Sequence, residues 1–419
     1  MNGSFDSILQ TSAWHFEQAA GRLGLDEAIR RKILAPKEKI EIAINPMLPD
    51  GRVRNIQVFV VIHNDALGPA KGGIRMTPEV TLDDIAGLAM EMTWKTSLIG
   101  VPFGGGKSGI RFDPAPVSPE TKETIIRSFT RGARRHIGPE VYVPAPDMGT
   151  NESDMAHIRD CIAYSQSVAI PNGCFVTGKP VILGGVVGRR EATGRGVVHT
   201  IVSLCERLGL DITKTRVALQ GFGNVGAVVA AESARLGAAV VGVADLSGGV
   251  VDPDGLDVEA LTRHVQAAGA VKGFNDAKAA QKDEILEVDC DILVPAAAGL
   301  QITRENAGRV KARIVAEAAN APTTPEADEI LRQRKTTVIP DILCNAGGVY
   351  VSYLEYTQET QREQMTSDEV DHRLSTRMRE RFNEVYDLAQ GKRVPMREAA
   401  MDLAVRRVAD AVYARGLLP

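Results

Sequence analysis

The chain has 419 residues, of which 44% are hydrophobic, and its formal net charge is −4. Because a single hydrophobic core usually stops growing below this length, two domains are expected. The slight acidity gives no electrostatic reason to expect a nucleic acid or an anionic membrane as partner. No apolar run approaches the roughly 18 residues that a membrane span needs.

The cysteines and histidines favour neither a disulfide scaffold nor a metal centre. There are five cysteines, an odd number without a Cys-x-x-Cys pair, which predicts reduced thiols and a cytoplasmic location. The seven histidines include no His-x-x-x-His pair, so a metal site has no support. The first twenty residues contain acids and no basic leader, and they read as an amphipathic helix.

Periodicity predicts an α/β chain. Helices are predicted where apolar residues recur every three to four positions between cap and break signals, over 25–34, 82–95, 118–136, from 367 onward and 396–415. Strands are predicted over β-rich runs, at 56–63, 216–220, 239–245, 291–295, 313–316 and 337–339. A shift toward glycine places the main domain boundary near residue 184.

Three lysines, Lys71, Lys95 and Lys107, lie close together in an otherwise apolar and glycine-rich stretch. Lys95 follows Met92 by three residues and Leu88 by seven, so it falls on the inward stripe of the predicted helix. A buried ammonium must find an anion or lose its proton. The cluster therefore indicates either a carboxylate-binding pocket or a lysine kept ready for proton chemistry. The alternative for Lys95 is a lysine at a helix end whose head reaches solvent.

Lys107 lies in the segment GVPFGGGKSGI, which superficially looks like a phosphate-binding loop. That motif needs a glycine where this chain has Val101, and Pro102 removes a backbone N–H donor. The glycines are instead predicted to let main chain approach a small ligand while the ammonium points at it. A glycine-rich turn with a solvated lysine is the alternative.

A second glycine motif has the full context of a dinucleotide fold. The predicted strand at 216–220 is followed by GFGNVG, a helix and a strand that ends at Asp245. Gly221 would form the tight turn, Gly223 would admit the pyrophosphate, and Gly226 would let helix and strand pack. The acid would bind the ribose hydroxyls and repel a 2′-phosphate, which favours NAD, with NADP as the alternative. An ordinary glycine-bearing connection would explain the glycines without a ligand.

Six segments together resemble one enzyme family: KGGIRMTPEV, MTWKTSLIGVPFGGGKSGIRFDP, HIGPEVYVPAPDMGTN, VTGKPVILGGVVGRREATGRGV, AEAANAP and CNAGGVYVSYLEY. In order and spacing they are similar to the dehydrogenases that act on glutamate, leucine, phenylalanine or valine. The resemblance covers nearly the whole chain. It implies reversible oxidative deamination of an L-amino acid to a 2-oxo acid and ammonia, with a nicotinamide cofactor.

The resemblance also implies the domains. Residues 1–184 would form an α/β domain for substrate binding and oligomerisation, and 185–345 a doubly wound Rossmann domain for the dinucleotide. Residues 346–419 would be helices that return to the first domain and line the cleft. A homohexamer is the assembly that the resemblance implies.

Roles for individual residues follow from the same likeness. Lys95 would bind the substrate α-carboxylate, Lys107 would activate the attacking water, and Asp147 of the PAPD motif would carry a proton to and from the substrate nitrogen. A turn-forming aspartate after proline is the structural alternative for Asp147. Thr193 and Asn320 would orient the nicotinamide, while Asn224 and Val225 of the glycine turn are also assigned to the cofactor.

The substrate side chain is predicted from Lys71 and Ser352, which in the family's glutamate enzymes reach its carboxylate. Branched-chain enzymes have apolar residues in those places, and an ammonium without an anion would cost several kcal/mol. The expected substrates are therefore L-glutamate, 2-oxoglutarate and ammonium. The remaining wall positions carried over from the family are Ala145, Asn345 and Val349.

Two alternatives remain open. One is a related dehydrogenase for an apolar amino acid. The other is a low-activity or regulatory paralogue that binds glutamate within a mixed complex, suggested by Val186, Ala298 and Gly299, which depart from the family pattern near the cofactor.

Overall fold

The computed structural model describes residues 7–416, and these form two compact units. The first unit comprises residues 7–189, 349–371 and 401–416. The second comprises residues 190–348 and 372–400. No helix within the described residues is both long and apolar enough to cross a membrane.

The first unit is built on a five-stranded mixed sheet. Its strands, in the spatial order β1-β2-β4-β3-β5, are β1 (Glu38–Ile44), β2 (Ile56–Asn64), β3 (Ala70–Thr77), β4 (Gly104–Arg111) and β5 (Tyr142–Pro146). β2 pairs antiparallel with β1 and β4, whereas β3 pairs parallel with β4 and β5. The N-terminal helices of this unit are α1 (Ile8–Arg22), α2 (Glu27–Leu34), α3 (Leu82–Ile99), α4 (Pro119–Gly132) and α5 (Glu152–Gln166).

Helix α3 begins at a capping box formed by Thr81 and Asp84 and runs one turn further than the predicted range 82–95. The Asp84 amide donates to the Thr81 hydroxyl at 3.1 Å, and the Thr81 amide donates to the Asp84 carboxylate at 3.0 Å. The helix ends at Gly100, which has the left-handed φ of 76° that favours glycine. Lys95 therefore lies inside the helix and is buried, so the alternative of a lysine at the helix end, with its head in solvent, is wrong.

The glycine run before Lys107 is a strand and Lys107 is buried, so the alternative of a glycine-rich turn with a solvated lysine is wrong. β4 lies between β2 and β3 in the middle of the sheet, and α3 packs directly on it. A Cβ atom on Gly105 would lie 2.1 Å from Oγ1 of Thr93 in that helix. Glycine is needed here for close helix-to-strand contact, and not for a turn.

The second unit contains a seven-stranded sheet in the order β12-β11-β10-β6-β7-β8-β9. Its strands are β6 (Arg216–Gln220), β7 (Ala239–Asp245), β8 (Gly248–Val251), β9 (Lys278–Ala280), β10 (Ile292–Pro295), β11 (Ile314–Ala316) and β12 (Thr337–Ile339). The helices between residues 190 and 345 are α6 (Ala192–Leu208), α7 (Asn224–Arg235), α8 (Val258–Ala268), α9 (Pro325–Gln333) and α10 (Asp341–Cys344). The five strands from β12 to β7 are parallel, and β8 and β9 continue the sheet antiparallel. The predicted two-domain α/β fold is confirmed.

Three C-terminal helices complete the chain: α11 (Gly347–Gln361), α12 (Ser367–Lys392) and α13 (Met396–Arg415). Residues 349–371 and 401–416 belong to the first unit, whereas 372–400 belong to the second. The segment that the sequence assigned as one C-terminal block, 346–419, is thus divided. Each of its helices contributes residues to both units, because the chain passes from one unit to the other inside the helices.

Candidate active site

Three buried lysines of the first unit share one side of the sheet. Lys71, Lys95 and Lys107 are 2%, 4% and 4% exposed. Lys71 on β3 pairs with Gly105 on β4, and Lys107 follows Gly105 by two residues. Because paired residues and residues two apart point to the same face, both amines lie on the face that α3 covers. α3 itself carries Lys95, so the cluster predicted from the sequence is formed by β3, β4 and α3.

Asp147 is brought directly to Lys107. The Lys107 ammonium forms a close ion pair with the Asp147 carboxylate, and Nη2 of Arg75 lies 3.7 Å from the same carboxylate. The turn after β5 fixes this acid, because the Asp147 amide donates to Oγ1 of Thr150 at 2.9 Å. That hydroxyl in turn donates to the Ile74 carbonyl at 2.8 Å, which ties the turn to β3.

The surroundings of the pair lower the pKa of both Lys107 and Asp147. Burial lowers the pKa of Lys107, and Arg75 and Lys95 lower it further, although Asp147 opposes them. Burial alone would raise the pKa of Asp147, but the charges of Lys107 and Arg75 outweigh it and hold that pKa well below its usual range. The site therefore combines a carboxylate that stays ionised with a lysine that releases its proton more readily than an exposed lysine does.

Lys71 belongs to a second cationic group on the same unit. Burial, followed by the positive charge of Arg189, lowers the pKa of Lys71 from 10.5 to about 7. Nε of Arg189 donates to the Ser352 hydroxyl at 2.8 Å. Arg189 thus contacts Ser352 directly and acts on Lys71 through its charge, and the three groups present positive charge and hydrogen-bond capacity suited to a carboxylate.

The predicted wall residues divide between the units. Ala145 pairs with Gly73 in the register of β5 on β3, and Val349 lies three residues before Ser352 on α11, so both belong to the first unit. Asn345 lies in the second unit. Its Nδ2 donates to the carbonyls of Ala318 and Ala319 and, at 3.3 Å, to Oδ1 of Asn320, the predicted nicotinamide residue.

The glycine turn of the second unit has the shape that a dinucleotide requires. Gly221 has a φ of 105°, and a Cβ on Gly226 would lie 1.9 Å from the Gly221 carbonyl oxygen. Gly223 caps α7, and a Cβ there would meet nothing within 4 Å. Open space beside Gly223, at the amide end of a helix, fits the pyrophosphate of NAD.

The residues assigned to the two ends of the cofactor lie on the same unit. Asp245 ends β7, and its two oxygens accept from the amides of Ser247 at 2.7 Å and Val271 at 2.8 Å, which fixes the carboxylate at the strand end. Thr193 lies half-buried in the first turn of α6. Asn224 and Val225 begin α7 directly after its Gly223 cap. The fit of these groups to NAD remains a prediction for each residue.

Several site residues were missed from the sequence. Arg75 had a local signal, because it lies four positions after Lys71 on one strand and so faces the same way. Arg189 had none, since its partner Ser352 is far along the chain. The same is true of Lys179, whose ammonium lies 2.6 Å from the Glu355 carboxylate across a separation of 176 residues.

Comparison with known proteins gives matches over nearly the whole chain. A family described as Glutamate/Leucine/Phenylalanine/Valine dehydrogenase matches residues 184–416, and the Glu/Leu/Phe/Val dehydrogenase dimerisation domain matches residues 36–164. A glutamate dehydrogenase of Thermotoga maritima is 44% identical over 99% of both chains. An NAD-specific glutamate dehydrogenase of Staphylococcus aureus (strain COL) is 39% identical over 98% of this chain and 99% of the relative.

Solved structures of glutamate dehydrogenases have the same fold as this chain. The hetero-hexameric glutamate dehydrogenase from Thermus thermophilus, in its Leu-bound form, superposes with a TM-score of 0.94 at 34% identity and covers 100% of both chains. The glutamate dehydrogenase of Peptoniphilus asaccharolyticus superposes with a TM-score of 0.84 at 33% identity, over 98% of this chain and 100% of that one.

One unit has the sheet and glycine turn of a dinucleotide-binding fold. The other has a buried lysine cluster with an aspartate paired to Lys107. Together with the comparisons, these features are those of an amino-acid dehydrogenase. The chain belongs to the Glutamate/Leucine/Phenylalanine/Valine dehydrogenase family. The predicted family and the predicted reaction class, an oxidoreductase acting on a CH–NH₂ group, are confirmed.

Proposed function

We propose that this chain catalyses the reversible, NAD-dependent oxidative deamination of L-glutamate to 2-oxoglutarate and ammonia. The observation that carries the choice of substrate is the group formed by the buried Lys71 and Ser352 with the half-buried Arg189. A buried cation without an anion is costly, so this group disfavours an apolar side chain and favours a carboxylate. The names of the relatives, two of them NAD-specific glutamate dehydrogenases, support the same substrate and cofactor.

Substrate binding uses two carboxylate contacts. Lys71, with Ser352 and Arg189, receives the side-chain carboxylate, while Lys95 receives the α-carboxylate. Each hydrogen bond to a charged group contributes about 1.5–3 kcal/mol. Ala145 and Val349 are the proposed wall residues of the same unit, and Asn345 is the proposed substrate residue of the second unit.

The proton chemistry belongs to Lys107 and Asp147. Asp147 accepts a proton from the substrate ammonium, which gives the amine from which hydride can leave. Bound NAD supplies the hydride acceptor. Lys107 then takes a proton from water as the water oxygen attacks the iminium carbon, and Asp147 returns its proton to the nitrogen of the resulting carbinolamine. The C–N bond breaks as the C=O bond forms, the hydroxyl proton leaves with the ammonia as ammonium, and Lys107 releases its proton to solvent. The lowered pKa of Lys107 suits it to act as the base.

The glycine turn would hold the cofactor, with Thr193 and Asn320 as the residues that would orient the nicotinamide and Asp245 as the one that would bind the ribose. One observation keeps NADP as the second candidate. The Lys272 amide donates to Oγ of Ser247 at 3.0 Å, which brings a lysine close to the loop that follows Asp245.

The direct test is absorbance at the reduced-nicotinamide band. Purified protein is mixed with 2-oxoglutarate, ammonium and either NADH or NADPH, and the reverse reaction is followed with a panel of amino acids. Oxidation of NADH with 2-oxoglutarate, and glutamate as the preferred amino acid, are the expected results. Faster oxidation of leucine or valine than of glutamate would reject the substrate, and a strong preference for NADPH would reject the cofactor.

The assembly is proposed to be a homohexamer in the cytoplasm. The Thermus thermophilus relative is hetero-hexameric, so a mixed complex with a paralogue is the alternative. The five cysteines are not disulfide-bonded to one another, which favours a reducing compartment. Light scattering on the purified chain should give six times the 45.0 kDa chain mass. A smaller mass that reaches the hexamer only with a second subunit would favour the mixed complex.

A further inference from the structure

A buried ion network includes two carboxylates of α11, the helix that carries Ser352 of the proposed glutamate side-chain site. The Lys179 ammonium lies 2.6 Å from Glu355 and 2.9 Å from Glu359, and the Lys179 and Glu355 side chains are both 0% exposed. Nε of Arg159 lies 3.5 Å from Glu359 on the other side. Two cations and two carboxylates are thus paired inside the first unit.

Glu355 is the member of this network that reaches toward the site. It lies three residues after Ser352 on α11, so the two side chains share one helix face, and Glu359 follows on the same face. Its carboxylate accepts from the amides of Gly178 at 2.9 Å and Lys179 at 3.3 Å as well as from the Lys179 ammonium. One carboxylate therefore fixes the position of α11 against the segment 178–179.

That segment also touches the strand that leads to Asp147. The Thr177 amide donates to the Pro144 carbonyl of β5 at 2.9 Å. Gly178, with a φ of 81°, packs so closely on the Pro146 ring that a Cβ would lie 2.4 Å from its Cδ. Glu355 thus connects α11, which carries Ser352, with β5, which ends beside the catalytic acid.

Charge links Glu355 to Lys71 as well. Arg189 and Lys179 act on Lys71 as positive charges, Glu355 as a negative one, and Cys174 is the remaining titratable group that acts on it. The adjoining elements of the sheet carry Lys107 with its partner Asp147, and α3 carries Lys95. Glu355 is the carboxylate that acts on Lys71 from α11.

We propose that Glu355 is a positioning residue of the glutamate side-chain site, which holds Ser352 against the 178–179 segment and offsets the positive charge around Lys71. The inference rests on the proposed function. It gives a role in substrate selection to a residue that is separated from the substrate by Ser352 and Lys71.

The test measures kcat/KM for glutamate against pH in Glu355→Gln and Lys179→Met. Lys71 must be protonated to bind the side-chain carboxylate, and its pKa is about 7, so kcat/KM should fall as pH rises through that value in the wild type. Removing the negative charge of Glu355 lowers the pKa of Lys71, so the fall in kcat/KM moves to lower pH. Removing the positive charge of Lys179 moves the fall to higher pH. The expected shifts are about half a pH unit or more in opposite directions.

A purely structural role would not give opposite shifts, because damage to the same network would affect both variants alike. Glu355→Gln should also raise KM for glutamate at least ~5-fold while kcat and KM for NAD stay near their wild-type values. Glu355→Asp keeps the charge but shortens the reach. It should raise KM for glutamate without moving the pH profile. If Lys179→Met does not fold, the difference between the profiles of Glu355→Asp and Glu355→Gln tests the role of the charge.

Shifts in the same direction, or unmoved profiles in folded variants, would overturn the inference. So would a profile of Glu355→Asp that moves as far as that of Glu355→Gln. A wild-type protein without activity toward glutamate would instead overturn the proposed function, so the two failures can be told apart.

Discussion

At the scale of single residues, the site depends on how buried charges are paired. Lys107 and Asp147 form a close pair, with Arg75 beside it, whereas Lys71 lies in a separate group with Arg189 and Ser352. The first group can move protons because its members hold unequal affinities for them. The second offers cationic and hydroxyl groups to a carboxylate. The two groups thus divide catalysis from recognition.

Asp147→Ser should abolish turnover while leaving cofactor binding intact. The variant removes the proton carrier, and general acid–base groups contribute about 10²–10⁴-fold to rate. The dinucleotide turn lies on the other unit and keeps its structure. Steady-state kinetics and NADH fluorescence titration check the two halves of the prediction. Asp160→Ser, which changes a side chain 65% exposed on α5, is the matched control and should keep wild-type rates. Near-normal turnover in Asp147→Ser would remove the proposed acid.

Arg75→Met should move the pH dependence of glutamate oxidation to higher pH. Lys107 acts after it loses its proton, and the charge of Arg75 is one of the causes that lower the pKa of Lys107 below 10.5. Without that charge the pKa of Lys107 rises, so kcat increases only at a higher pH. Arg75→Lys keeps the charge and should leave the profile in place. A profile that is the same in Arg75→Met and the wild type would show that Lys107 is not the group that titrates.

At the scale of elements, the sequence was most informative where local signals are strong. The capping box at Thr81, proline at the first position of α4 and the strand-turn-helix of the glycine fingerprint all lie where predicted. β6, β7 and β12 have the predicted bounds. α4 ends at Gly132, four residues earlier than predicted, because helix ends depend on packing as well as on sequence.

The strands of the first sheet were mostly missed. β3 and β4 are rich in glycine and lysine, residues that are poor in intrinsic strand preference, and tertiary packing overrides that preference. Because neither β3 nor β4 was predicted as a strand, the placement of Lys71 and Lys107 on adjacent strands could not be predicted. Contacts such as Arg189 with Ser352 join residues too far apart in the chain for any local pattern to reveal.

Gly105→Ala should destabilise the first unit. The new methyl would lie 2.1 Å from Oγ1 of Thr93 and 2.3 Å from its amide nitrogen, so α3 must move away from β4. Overpacking of this kind costs about 1–3 kcal/mol. Gly21→Ala is the matched control in α1, where a Cβ meets nothing within 4 Å, and it should stabilise the chain by roughly 0.5–1 kcal/mol. Thermal melting compares both with wild type, and an unchanged melting temperature for Gly105→Ala would contradict the close packing.

At the scale of the whole molecule, the residues proposed for substrate recognition and those proposed for cofactor binding belong mostly to different compact units. The first unit holds the lysines, the catalytic acid and Ser352, and the second holds the dinucleotide turn with Asp245, Asn320 and Asn345. Helices α11, α12 and α13 each contribute to both units. The sequence predicted two domains and the family, but the alternation of the C-terminal helices between units depends on packing that periodicity alone does not encode.

The measurement that tests the account most directly is the ratio of kcat/KM for glutamate to kcat/KM for norvaline, in the wild type and in Lys71→Met. The wild type should favour glutamate strongly. Lys71→Met removes the ammonium that faces the side-chain carboxylate, and since 1.4 kcal/mol corresponds to tenfold, loss of about 3 kcal/mol should lower kcat/KM for glutamate by roughly 100-fold. Activity toward norvaline should stay level or rise. A variant that still prefers glutamate as strongly as the wild type would contradict the account.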